Sequence, residues 1–232
     1  MKSPQKSLIA VLAAAVLFAP LGALAKKQEL PEISEDGLHK VSKPKNSDVA
    51  YVRPGVDFGT YNTVKILEPY IAFRKNWQSD HNSTDRMNRV SDRDMEKMIA
   101  KGKELFMTEF KKVLEKKGYP VVDEINSDTL IVRPAIINLD VYAPDPNRTA
   151  GIWNKIYTDG AGQATLYIEL FDGPSSQILA KAFDHKDGAM EGNSWRMPRT
   201  QNSNINDARN AMHDWALALA NGLERAKEER TE

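Results

Sequence analysis

Apolar and polar positions divide the chain into six stretches with a readable period. From Tyr61 to Phe73 it is rich in β-branched and aromatic residues (Val64, Ile66, Tyr70, Ile71, Phe73), which predicts a first strand, with Pro69 marking a bulge or edge because proline cannot donate to a ladder. Between Arg74 and Val90 the sequence is polar and rich in Asp, Asn and Ser, as in a long exposed loop. Met95, Ile99, Gly102, Phe106, Phe110 and Val113 then recur at three or four residues, with Met98, Leu105 and Leu114 widening the stripe, which predicts a long amphipathic helix. Ser91 is placed to cap its free amides, Asp92 and Asp94 meet the positive end of its dipole, and Gly118 supplies the glycine past its end.

Thr129 to Tyr142 alternates Ala135, Ile137, Leu139 and Val141 against Asn138 and Asp140, the period of a half-buried strand. Ala164, Leu166, Ile168 and Leu170 alternate in the same way; Asp172-Gly173-Pro174-Ser175-Ser176 reads as a turn, and Ile178 to His185 returns as the second arm of an antiparallel hairpin. Residues 143–160 read as a loop, and Gly160-Ala161-Gly162 as a point of close backbone approach. After a polar segment from Gly188 to Asn204, a last helix is expected from about Asn206 to Glu228, its apolar face built from Ala208, Met212, Trp215, Ala216, Leu219, Ala220 and Leu223. The order β, α, β, β, β, α predicts an α+β two-layer sandwich: a mostly antiparallel sheet of about four strands with two long helices on one face.

Residues 1–25 form an export signal ahead of this domain. Lys2 and Lys6 precede an uncharged apolar run from Leu8 to Phe18, Pro20 and Gly22 break it, and Ala23-Leu24-Ala25 has the small-x-small pattern cut by a signal peptidase. Eleven apolar residues are too few to span a bilayer core of about 30 Å, which takes roughly 20. Cleavage is expected after Ala25, with the periplasm as the destination. Residues 26–50, polar with isolated Leu30, Ile33 and Leu38, read as a mobile or loosely docked leader, and 51–228 as a single domain.

Charge and composition exclude whole classes of role. Among 232 residues, 32 Lys and Arg balance 32 Asp and Glu, and removal of Lys2 and Lys6 leaves the mature chain at about −2. Nucleic-acid binding needs a clustered cationic excess that this balance does not provide. The chain has no Cys, so disulfides, thiol nucleophiles, Cys-ligated zinc and N-terminal thioether lipidation are all excluded. No G-x-S-x-G elbow and no phosphate-binding glycine loop is present, since Gly160-Ala161-Gly162 precedes a strand.

Two sets of candidate residues follow. Trp153 and Trp195 lie on polar segments with Arg196 and Arg199 close by, and exposed Trp and Arg are common interface anchors, so these four form a candidate contact surface for another envelope component. The alternative is a metal-assisted hydrolase, using His81 with Asp85 or His185 with Asp187 as imidazole and carboxylate ligands. Against it, Asp184 and His185 should point to opposite faces of their strand. The favoured expectation is a non-enzymatic binding or accessory module with no cofactor and no metal.

The run Tyr51-Val52-Arg53-Pro54-Gly55-Val56-Asp57-Phe58, followed by Tyr61-Asn62-Thr63-Val64-Lys65-Ile66, resembles the opening of a bacterial family known as domain of unknown function 3313. The resemblance continues through Gly118-Tyr119-Pro120-Val121-Val122-Asp123, Leu130-Ile131-Val132-Arg133, Glu169-Leu170-Phe171-Asp172 and Trp215. It implies an envelope protein but brings no activity, cofactor or site residue. Many members resemble lipoproteins with a Cys at the cleavage site; Ala25-Lys26 stands there in this chain, which implies a free periplasmic form without a lipid anchor.

Overall fold

In the computed structural model, residues 30–86, 89–142, 157–158, 162–187, 197–198 and 201–228 are described. Two short strands come first, β1 (His39–Lys40) and β2 (Val49–Val52). A 3-10 turn at Phe58–Thr60, capped by the Asp57 carboxylate, leads to β3 (Thr63–Ile66) and β4 (Tyr70–Phe73). Helices α1 (Trp77–Thr84) and α2 (Asp92–Lys116) follow, then the long strand β5 (Thr129–Val141). The remaining elements are β6 (Tyr157–Thr158), β7 (Gly162–Asp172), β8 (Ile178–Asp187), β9 (Met197–Pro198) and α3 (Gln201–Glu228).

Among the described residues, seven strands form one mixed sheet in the order β1-β2-β8-β7-β5-β3, with β4 also paired to β5; β6 and β9 pair separately. The sheet is larger than the four strands expected, for two local reasons. The apolar run 61–73 breaks at Pro69 into β3 and β4, both parallel to β5. Pro134 of β5 falls at that break: the ladder to β3 ends at Val132 and the ladder to β4 begins at Ala135, so its missing N–H lies where neither strand pairs. The second reason lies in the expected leader, whose residues from His39 onward enter the sheet, β2 pairing antiparallel with β8. Leu38 beside them is fully buried. Nothing in a four-residue strand flanked by Lys, Ser and Asn signals this pairing from sequence, because the partner supplies the burial.

The polar stretch 74–90 also differs from expectation, since α1 lies within it. Trp77 anchors that helix, 2% exposed, its ring stacked on Phe73 at 4.5 Å, and Arg74 ties its first turn to Asp80 (2.6 Å) and to Asp140 of β5 (2.7 Å). α2 begins and ends on the predicted residues. Ser91 and Asp94 exchange side-chain bonds with each other's backbone N–H, and Gly118 at φ +85° lets Tyr119 N–H reach the Leu114 carbonyl at 2.9 Å.

Even-numbered residues of β5 and β7 carry the core face: Leu130, Val132 and Ile136 lie beside Leu166, Ile168 and Leu170. Leu105, Phe106, Phe110 and Val113 of α2 and Met212, Trp215, Ala216, Ala220 and Leu223 of α3 belong to the same cluster. The rings of Phe106 and Phe110 stack at 3.8 Å with no exposure. Ion pairs run from Glu109 to Arg209 (3.4 Å) and from Lys117 to Glu224 (3.2 Å), which sets the two helices side by side in the same sense. Among the described residues, no helix is long and apolar enough to cross a membrane.

The opposite face of the sheet is closed by paired charges. Arg133 and Tyr167 both bond Glu169, the Arg133 guanidinium lies 4.8 Å over Phe171, and Lys181 holds Asp36 at 2.5 Å, keeping that carboxyl below its ordinary range. Tyr51 donates to the Pro31 carbonyl at 2.9 Å, so the segment before β1 is tied across this face.

Gly162 is the expected point of close approach: at φ +147°, a Cβ there would sit 2.0 Å from the Asp140 carbonyl oxygen. Gly37 also has a positive φ (+72°) but has open space around it. Gly162→Ala should therefore cost about 3 kcal/mol through forced backbone displacement, and Gly37→Ala only about 1 kcal/mol through the left-handed backbone. Urea unfolding of both variants checks this, and equal costs contradict the packing at Gly162.

Candidate functional site

On the β2/β8 side of the sheet the layer under α3 is incompletely filled. The register places Ala50 opposite Ala182 and Val52 opposite Ala180, and on the other side of β8 Ala182 opposite Ile168 and Ala180 opposite Leu170. These side chains share the face beneath α3, where Ala218, Gly222 and Ala226 recur every four residues and so form one stripe. With Ala and Gly on both walls, side chains cannot span the gap between helix and sheet, and a cavity of about 280 Å³ remains. Ala182, Ala218, Leu219, Gly222 and Ala226 are accordingly only half-buried, although Ala216 and Ala220 on the same helix are fully buried.

The segment between β1 and β2 walls the cavity at the sheet edge through Val41, Lys43, Pro44, Lys45, Asn46 and Ser47. Val41 N–H donates to the Ala50 carbonyl at 2.9 Å. Oriented so that both ends of its amide are satisfied, Asn46 accepts from Arg225 Nη1 at 3.2 Å and donates to the Lys45 carbonyl at 3.0 Å. This contact fastens the segment to α3.

Toward the C-terminal end of β8 the cavity wall becomes polar. Trp215 Nε1–H donates to Asp184 Oδ2 at 2.8 Å. Burial raises the Asp184 carboxyl above its usual value, with the Asp48 charge adding to the rise, while the Trp215 bond, Lys186 and a bond from the Asp48 backbone oppose it. Because the folded-state pKa lies above the unfolded value, the folded protein holds this proton more tightly, and the stability this group contributes is lost as pH rises from 3.8 through the folded value. Relative to wild type, Asp184→Asn should flatten the decline of melting temperature across that window, and Trp215→Phe, which removes a donor to the charged form, should extend it to higher pH. Thermal melts from pH 3.5 upward in roughly half-unit steps check this; three superimposable profiles contradict it.

Of the residues singled out from sequence, His81, Asp85, His185 and Asp187 do not line the cavity. Trp153, Trp195, Arg196 and Arg199 are outside the described residues. His81 is in α1, stacked on Trp77 at 5.5 Å, and Asp85 follows as the helix C-cap, its backbone N–H donating to the His81 carbonyl at 2.8 Å. His185 is exposed on β8, with Nδ1 3.1 Å from Thr165 Oγ1 and its backbone N–H donating to Asp48. Asp187 closes the same strand opposite Gln163. Asp184 faces α3 and the adjacent His185 faces away, the alternation expected of a strand. Among the described residues, no group of three or more His, Asp or Glu stands close enough to hold a metal ion. The cavity residues Ala50, Ala182, Ala218 and Gly222 were not legible as a site, although the small-residue spacing on α3 was visible.

The model of one family, described as a protein of unknown function (DUF3313), matches residues 32–219. The chain belongs to the DUF3313 family. That span runs from before β1 to within α3 and includes both the sheet and most of the cavity wall. No curated protein matches the chain. Among solved structures, the chain is similar to the PelC dodecamer from Paraburkholderia phytofirmans, with 8% identity, coverage of 71% of this chain and 96% of that one, and a TM-score of 0.32. It is also similar to a DUF4136 family protein from Bacteroides thetaiotaomicron, at 10% identity, 73% and 95% coverage and a TM-score of 0.34. A putative neuraminyllactose-binding hemagglutinin homolog from Helicobacter pylori matches at 12% identity, 75% and 89% coverage and a TM-score of 0.30. Likeness at this level transfers no role.

Proposed function

We propose that this DUF3313 protein is an exported, soluble binding module of the bacterial envelope, working in the periplasm without catalysing a reaction, and that its ligand site is the cavity beneath α3. The cavity carries the reading. At about 280 Å³ it falls just below the range of drug-sized ligand sites, roughly 300–1,000 Å³, which suits a smaller ligand. It is nearly twice the ~150 Å³ apolar cavity that takes up benzene. Apolar walls with a few polar groups at the ends suit binding, and neither end brings together a nucleophile and a base. Export rests on Lys2, Lys6, the Leu8–Phe18 run and Ala23-Leu24-Ala25. An envelope partner reached through Trp153, Trp195, Arg196 and Arg199 is compatible with this role and is tested separately by pull-down.

Two measurements test the reading. Fractionation of cells expressing the full chain should release it with the periplasm, and N-terminal sequencing should begin at Lys26; an intact signal retained in the membrane contradicts export. Toluene, a neutral probe small enough for the cavity, should stabilise the mature protein by about 1.4 kcal/mol at ten times its dissociation constant. Ala218→Leu, which fills the space, should abolish that gain while leaving circular dichroism unchanged. No stabilisation of the wild type, or an equal gain in the variant, contradicts the cavity as a site.

A further inference from the structure

The walls of the cavity are apolar, but its solvent side is not. Lys43 and Lys45 line it from the edge segment and are exposed, and Arg225 lines it from α3 with its guanidinium held by Asn46. Among the described residues, no carboxylate forms an ion pair with any of these three cations, whereas most other lysines and arginines near the sheet are paired, as Lys181 is with Asp36 and Arg133 with Glu169. Among the described residues, the single acidic side chain on the lining, Asp184, is bonded to Trp215.

Resting on the binding role proposed above, the geometry points to a fatty acid as the ligand: one acyl chain in the slot between β8 and α3, its carboxylate at Lys43, Lys45 and Arg225. Size selects a single chain. If about 150 Å³ accommodates the six carbons of benzene, then 280 Å³ accommodates about eleven, too few for two lipid tails. Charge selects the head, because a carboxylate matches the guanidinium fork and the two ammonium groups, while a quaternary ammonium head would meet three like charges. Burial of the chain supplies the affinity and the mouth supplies the orientation, with the head kept away from Asp184.

Titration calorimetry on the mature protein tests this with probes below their micelle concentrations. Affinity should climb about fourfold per methylene from hexanoate to decanoate, since each buried CH₂ adds a fixed increment, and should stop rising by tetradecanoate, when the slot is full. Decanoate should bind at least tenfold more tightly than decyltrimethylammonium. Lys43→Glu/Lys45→Glu, both on exposed positions, should reverse that preference and leave circular dichroism unchanged. Overturning results are an equal affinity for the two heads, an affinity that keeps rising with chain length, or decyl phosphate bound tenfold more tightly than decanoate. Toluene bound without decanoate overturns the fatty acid and leaves the cavity standing; neither bound overturns both.

Discussion

Burial of one face of β5 and β7 beneath two parallel helices is the constraint on which the rest of this structure depends. β5 pairs with β3, β4 and β7, so its alternation decides which side of three further strands faces inward. Once Leu130, Val132 and Ile136 point to the helices, Ala180 and Ala182 on β8 and Ala50 and Val52 on β2 must do so as well, because register admits no other choice. The large side chains concentrate where α2 crosses the sheet, and the small ones where α3 does. The cavity is the consequence of that uneven distribution.

The two faces of the sheet meet the cost of burial in different ways. Under the helices the residues are apolar, and the buried Glu109 between α2 and α3 is met by Arg209 and by His213 at 3.5 Å. On the far face Glu169, only 7% exposed, is satisfied by Arg133 and Tyr167. A buried carboxylate without such partners is strongly unfavourable, so these arrangements are part of the packing. Among the described residues Lys43 and Lys45 form no ion pair, unlike Lys181 and Arg133 on the sheet, and the ligand assignment builds on that contrast.

Legibility from sequence followed the range of the interactions involved. α2 was readable from Ser91 to Gly118 because caps and period are local, and the hairpin of β7 and β8 was readable because its turn is. α1 was not: Trp77 is its one deeply buried residue, and its stabilisation comes from Phe73 and from the Arg74 bond to β5, both invisible to periodicity. Likewise β2 is a strand because β8 offers it an edge, and β1 because β2 does. The parallel pairing of β3 and β4 hinges on Pro69 and Pro134 meeting at one break, a long-range coincidence. The cavity was hidden for the same reason, since Ala182 and Ala218 carry no signal singly and become a site only when a strand and a helix bring them face to face.

The central claim, that the space between α3 and β8 receives a ligand, is tested most directly by methyl NMR of the mature protein with ¹³C-labelled alanine. On addition of decanoate, the account predicts saturable shifts at Ala50, Ala182, Ala218 and Ala226, with Ala216 and Ala220 little changed. Shifts confined to residues elsewhere on the surface, or none at saturating ligand, would contradict it.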